Sequence, residues 1–191
     1  TLNAIDVPTM HALDAALAAF EADDAVRAIV VTGAGERAFV AGGDIADLDS
    51  RRGLPHYEQF AEVIHRLFTR FDNCDKPTLG AINGWALGGG TELLLALDIR
   101  LVAEEAKLGL PEITLGLFPG AGGTQRLIRQ IPLCRAKELM FTGDQSSTAG
   151  AVALEGWTTG RAHGLRPLLA ALMTSVGLAV SPLGRPLLPV E

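Results

Sequence analysis

Asn83-Gly84-Trp85-Ala86-Leu87-Gly88-Gly89-Gly90-Thr91-Glu92-Leu93 is the stretch on which the reading of this chain turns. Just before it, Thr78-Leu79-Gly80-Ala81-Ile82 is a short apolar run of the kind that forms a strand buried on both faces. The three consecutive glycines read as a turn, residues 91–96 as a short helix, and residues 99–103 as a further strand. Lys76-Pro77 keeps any helix from running into the first strand. Strand, turn, helix and strand in this order predict an α/β domain with parallel strands joined by right-handed crossovers.

The same alternation extends outward. Upstream, Ala28-Ile29-Val30-Val31-Thr32 predicts another buried strand, closed by Gly33-Ala34-Gly35, and Phe39-Val40 a strand or sheet edge. Residues 10–22 set Leu13, Ala16, Leu17 and Phe20 on one helical face, and Asp23-Asp24 ends that run. Residues 56–72 carry an apolar stripe of Phe60, Val63, Ile64, Leu67, Phe68 and Phe71, with Glu62, Arg66 and Arg70 opposite, and predict a longer amphipathic helix. Downstream, two short helices are expected over residues 120–131 and 135–141, separated at Pro132. After Asp144 the composition changes: the rest of the chain has no lysine, and its only acids are Glu155 and Glu191. Periodicity is poor there, although residues 165–180 could form one apolar helix. The expected division is a core over residues 1–145 and a divergent, weakly ordered tail over residues 146–191.

Composition narrows the function classes. The chain has 191 residues, 48% of them hydrophobic and 20% charged, which excludes a disordered or collagen-like polymer and predicts one globular domain. A formal net charge of −6 offers no general attraction to nucleic acid or to an anionic bilayer. Cys74 and Cys134 fit neither a disulfide framework nor a Cys-x-x-Cys site, and are expected as buried thiols in a reducing compartment. The four histidines show no metal-ligand spacing, so no metal is expected. No basic n-region and no membrane-spanning run of roughly 18 apolar residues is found, and the expectation is a cytoplasmic protein.

Glu92 and Glu112 carry the chemical signal. One follows the three glycines and the other follows Leu110-Pro111, each beside apolar sequence where an unpaired carboxylate is rarely buried. Two carboxyls facing one pocket can divide acid and base roles, because burial and mutual repulsion separate their pKa values. Gly88 to Gly90 would let a ligand carbonyl approach the first free N–H groups of the helix that follows, an oxyanion-hole arrangement. Ala41-Gly42-Gly43-Asp44 is a second such loop, ending in an Asp suited to opening a helix. Gly33-Ala34-Gly35-Glu36-Arg37-Ala38 loosely fits a dinucleotide fingerprint, but that fingerprint needs a helix next, and Phe39-Val40-Ala41-Gly42-Gly43 follows instead. Ser146-Ser147 lacks the G-x-S-x-G frame of a nucleophilic serine.

Four motifs together carry a resemblance. They are Ala38-Phe39-Val40-Ala41-Gly42-Gly43-Asp44-Ile45, the stretch from Asn83 to Leu93, Leu110-Pro111-Glu112-Ile113-Thr114-Leu115-Gly116-Leu117, and Pro119-Gly120-Ala121-Gly122-Gly123-Thr124-Gln125-Arg126-Leu127. In this order they are similar to the crotonase superfamily, the enoyl-CoA hydratase/isomerase fold, and Phe141-Thr142-Gly143-Asp144 fits as well. The resemblance implies a spiral of ββα turns, here shortened at the N-terminus, trimers or paired trimers, and acyl-coenzyme A thioester substrates. It implies that the amides of Gly43 and Gly89 hold the thioester oxygen. It also implies that Glu92 and Glu112 are the catalytic pair holding a water, and that Ala41, Asp44, Ile45 and Gly120 border the substrate.

The activity so implied is hydration of a trans-2-enoyl-CoA to the 3-hydroxyacyl-CoA, with Glu92 taking the proton of water and Glu112 delivering one to C2. No metal or redox cofactor is expected, coenzyme A being part of the substrate. A double-bond isomerase using one glutamate as shuttle is the alternative enzyme, and a non-catalytic acyl-CoA-binding or assembly protein the alternative from another class.

Overall fold

The computed structural model describes residues 2–50, 53–147, 158–159 and 178–182. Helix α1 (Val7–Ala22) starts three residues ahead of its apolar run. The side chain of Asp6 accepts the amide of Thr9 at 2.8 Å, and Pro8 suits the first turn. Strand β1 (Ala28–Thr32) has the expected bounds, β2 (Ala38–Val40) follows the Gly33 turn, and α2 (Ile45–Ser50) opens on Asp44, which accepts the amide of Asp47 at 3.0 Å. Helix α3 (Leu54–Asp72) carries the long stripe, burying Val63, Ile64, Leu67, Phe68 and Phe71. It packs on α1, where Met10, Leu13, Leu17 and Phe20 are buried. Each such aliphatic or aromatic side chain removed from water contributes about 1.5–3 kcal/mol. Arg70 on α3 pairs with Asp14 and Glu21 on α1 across the seam.

Next come β3 (Thr78–Ile82), β4 (Trp85–Leu87), α4 (Gly89–Leu94), β5 (Ile99–Val102), β6 (Lys107–Gly109) and a 3-10 helix (Pro111–Leu115). Helices α5 (Gly123–Gln130) and α6 (Leu133–Thr142) flank Pro132. Short strands β7 (Ser146–Ser147), β8 (Thr158–Thr159) and β9 (Leu178–Pro182) complete the described elements.

The strands form two sheets. The larger has the order β8-β5-β3-β1-β9 with every pair parallel, and its register sets Ile29 against Thr78 and Leu79 against Ile99. The smaller has the order β2-β4-β6-β7, with β2, β4 and β6 parallel and β7 antiparallel. Strands β1, β3 and β5 of the first sheet are each followed by a short strand of the second and then by helix, as β1-β2-α2/α3, β3-β4-α4, and β5-β6 with the 3-10 turn. This is the ββα spiral expected above.

The parallel register of the smaller sheet has a consequence for everything that follows it. Val40 lies against Ala86, and Leu87 against Gly109, so β2, β4 and β6 end at one edge. The loops that leave them, at Gly42-Gly43, Gly88-Gly89 and Pro111-Glu112, therefore emerge side by side.

Several sequence expectations are corrected. Strands β4 and β6 are absent from the sequence reading because three residues are too few to display a period of two. Gly89 and Gly90 belong to the first turn of α4 rather than to a turn before it. Residues 120–122 are loop, and α5 begins at Gly123. Cys74 is half-buried and Cys134 exposed, since the first follows the end of α3 and the second lies on the outer side of α6. Leu178–Pro182 is strand, so residues 165–180 do not continue as helix to their end. Most of the expected tail, like the rest of that helix, lies outside the described residues. Among the described residues no helix is long and apolar enough to cross a membrane.

Candidate active site

The glycines after β4 each have a separate physical reason. Gly88 has φ +52, a conformation L side chains rarely adopt, and its amide donates to the carbonyl of Gly109 at 2.9 Å. A Cβ on Gly90 would stand 2.1 Å from the carbonyl oxygen of Val40, so only glycine lets α4 lie on β2. The Thr91 hydroxyl then sits 2.7 Å from the Ala86 carbonyl and 2.9 Å from that of Gly109, tying α4 to both strands beneath it.

Gly89 is left with its amide at the first position of a helix, where no intrahelical acceptor exists. The position of a Cβ on Gly89 lies 3.7 Å from the amide nitrogen of Gly43. Ile5 and Gly43 bridge through the Gly42 carbonyl and the Asp44 amide, at 2.8 and 2.9 Å, which leaves the N–H of Gly43 out of that bridge. Leu48 of α2 and Phe60 of α3 reach to within 3.6 and 3.7 Å of where a Gly43 side chain would begin. Two backbone amides from separate loops are thus close together, beside apolar side chains.

Glu92 stands in the first turn of α4 and is only 3% exposed. Its Oε1 accepts the amides of Ala121 and Gly123, both at 2.8 Å. Burial pushes its pKa up to about 7. The amide of Gly123 opposes that rise, the charge of Glu112 adds to it, and Ala121 and Arg126 oppose it more weakly. Glu112, half-buried on the 3-10 helix, is also pushed up from the ordinary glutamate range, again by burial. Its Oε1 comes within 2.9 Å of where a Cβ on Gly88 would be, directly beside the paired amides. Its Oε2 is buried and accepts no hydrogen bond from a described residue.

The site therefore combines two carboxyls whose pKa values are raised by burial with two backbone amides, those of Gly43 and Gly89, brought close to each other. Such a set can polarise a carbonyl and move protons at the carbons beside it.

The remaining expected residues are placed as follows. Ala41 donates its amide to the carbonyl of Leu2 at 3.1 Å. Asp44 is occupied in capping α2, while Ile45 is 61% exposed at the start of that helix. Gly120 is exposed, one residue before the Ala121 amide that reaches Glu92. Ala121 and Gly123 are site residues that sequence reasoning missed. The available signal was a Gly-rich run ahead of an amphipathic helix, and it was read as part of the helix itself.

Comparison with known proteins points to one family. The family model for enoyl-CoA hydratase/isomerase matches residues 1–154. A short-chain-enoyl-CoA hydratase of Clostridium acetobutylicum is 40% identical over 141 residues, covering 74% of this chain and 54% of that protein. A crotonyl-CoA hydratase of Syntrophomonas wolfei is 40% identical over 143 residues, covering 75% and 55%. The chain thus spans little more than half the length of these relatives. The crystal structure of an enoyl-CoA hydratase from Bacillus anthracis superposes with a TM-score of 0.86 at 36% identity, covering 92% of this chain and 68% of that one. By its motifs, its ββα spiral and these matches, the chain belongs to the enoyl-CoA hydratase/isomerase family.

Proposed function

We propose that the chain adds water across the double bond of a trans-2-enoyl-CoA to give the 3-hydroxyacyl-CoA. The observation that carries this reading is the presence of two glutamates, Glu92 buried in the first turn of α4 and Glu112 half-buried against Gly88, near the paired Gly43 and Gly89 amides. The names borne by its relatives, short-chain-enoyl-CoA and crotonyl-CoA hydratase, support the same substrate class.

In this reading the thioester oxygen accepts both amides, which makes C3 electrophilic and stabilises the enolate-like transition state. One such donor is worth about 3–4 kcal/mol. Water between the two carboxyls gives a proton to Glu92 as its oxygen bonds to C3, and Glu112 delivers a proton to C2. The electron pair of the double bond ends in the new C2–H bond, so the step is balanced without a redox cofactor or a metal. The working form of the pair holds one proton, on Glu112, with Glu92 ionised. Hydration is favoured over double-bond isomerisation because the latter needs only one shuttle.

Assembly as a trimer or hexamer and action in the cytoplasm belong to the same proposal. Crotonyl-CoA offered to the purified chain tests it: loss of enoyl absorbance with formation of 3-hydroxybutyryl-CoA is expected. Conversion of a 3-enoyl-CoA to its 2-enoyl isomer without hydration would overturn it.

A further inference from the structure

Arg126 is a motif residue that no step above uses. Its side chain is only 15% exposed, and Nε pairs at 3.3 Å with Oδ2 of Asp72, the last residue of α3. Nη1 donates to the carbonyl of Ala121 at 3.3 Å. The guanidinium also lies over Gly122, where φ is +108 and a Cβ would stand 2.1 Å from Nη1. One planar group thus spans the end of α3 and the turn at residues 121–123, which a lysine with its single point charge could not do as well.

That turn is the one whose amides, Ala121 and Gly123, both end on Oε1 of Glu92. We propose that Arg126 is a positioning residue for Glu92, holding residues 121–123 in the conformation that delivers two amides to one carboxylate oxygen. The proposal rests on the reading of Glu92 as a proton-transferring group. The charged groups that bear on Glu92 are Glu112 from the 3-10 helix, which disfavours its ionised form, and Arg126 from α5, which favours it. Asp72 from α3 bears on Arg126 in turn. Arg126 therefore acts on Glu92 twice, through its own field and through the amides it keeps in place.

The test is a carboxyl 13C NMR titration of the substrate-free chain, with the Glu92 signal assigned by Glu92→Gln, in wild type, Arg126→Gln and Arg126→Lys. The Glu92 midpoint is expected to rise by at least about half a pH unit in Arg126→Gln, with Arg126→Lys falling between it and wild type. Crotonyl-CoA turnover, measured alongside, should drop at least about tenfold in Arg126→Gln with KM little changed. A folded Arg126→Gln whose Glu92 midpoint stays within about 0.2 units of wild type, whatever its stability, would make Arg126 a clamp between α3 and α5 only and overturn the proposal. If Arg126→Gln does not fold, Arg126→Lys is judged by the same criterion. A shifted midpoint in a chain with no hydratase turnover upholds the positioning role and rejects the hydratase reading. Wild-type turnover with an unmoved midpoint does the reverse.

Discussion

Glu92 and Glu112 are recognisable in the sequence as glutamates set among glycine, proline and apolar residues, but their burial and partners are not. Glu92→Gln and Glu112→Gln should each lower crotonyl-CoA turnover by at least about two orders of magnitude, the scale of a lost general acid or base. Circular dichroism should show both folded, and near-normal turnover in either would remove that residue from the mechanism. The role of Glu92 can be read from pH. As the base it must be ionised, so kcat/KM should climb from about pH 6 to about pH 8 with a midpoint near the Glu92 value of about 7. A fall through that same interval would make it the proton donor instead. Stability should respond in the opposite sense. An ordinary glutamate ionises near 4.5, and folded Glu92 at about 7. At pH below the first value it is protonated in both states. Above the second it is ionised in both, and the buried charge weighs against folding by about 3 kcal/mol. The stability advantage of Glu92→Gln over wild type should therefore grow between about pH 5 and about pH 8, as urea denaturation would measure. An advantage that did not change with pH would show that Glu92 ionises normally in the fold.

At the scale of elements, the three glycines after β4 divide their work, and substitutions should separate it. Gly90→Ala would place a methyl against the Val40 carbonyl, 2.1 Å from where its Cβ must go. Backbone cannot yield there as a side-chain end would, so a loss of at least about 2 kcal/mol is expected in urea denaturation. Gly89→Pro is different in kind. Proline is tolerated at the first position of a helix, so the fold should persist while the amide donor is lost. The absorbance shift of a bound enoyl-CoA chromophore should then disappear, and a shift that persists would place the oxyanion site elsewhere. Strands β1 and β3 have the bounds read from sequence because a run of five mostly apolar residues suffices to declare a buried strand. Strands β4 and β6 escaped notice because three residues, one of them exposed in each, carry no period.

On the scale of the whole molecule, large apolar side chains remain uncovered around the 3-10 helix and the end of α6, which pack against each other. Leu115 is 56% exposed, and Phe118 and Phe141 are each 71% exposed. So much apolar surface predicts self-association. Light scattering at micromolar concentration should give a mass above that of one chain, and Phe118→Ser with Phe141→Ser should move it toward one chain. A monodisperse single chain in the wild type would show that the surface is tolerated. Sequence alone determined the class of fold, through the alternation of buried runs with helical stripes, and the chemical types at the site, because glycine runs and misplaced glutamates are visible one residue at a time. Tertiary structure alone decided which of them meet. Gly43, Gly89 and Glu112 converge because β2, β4 and β6 end in register at one edge, and Glu92 gains its amides because the turn at residues 121–123, expected as helix, is folded against it. Both depend on contacts between segments far apart in the chain, and such contacts leave no local trace in the residues that they join.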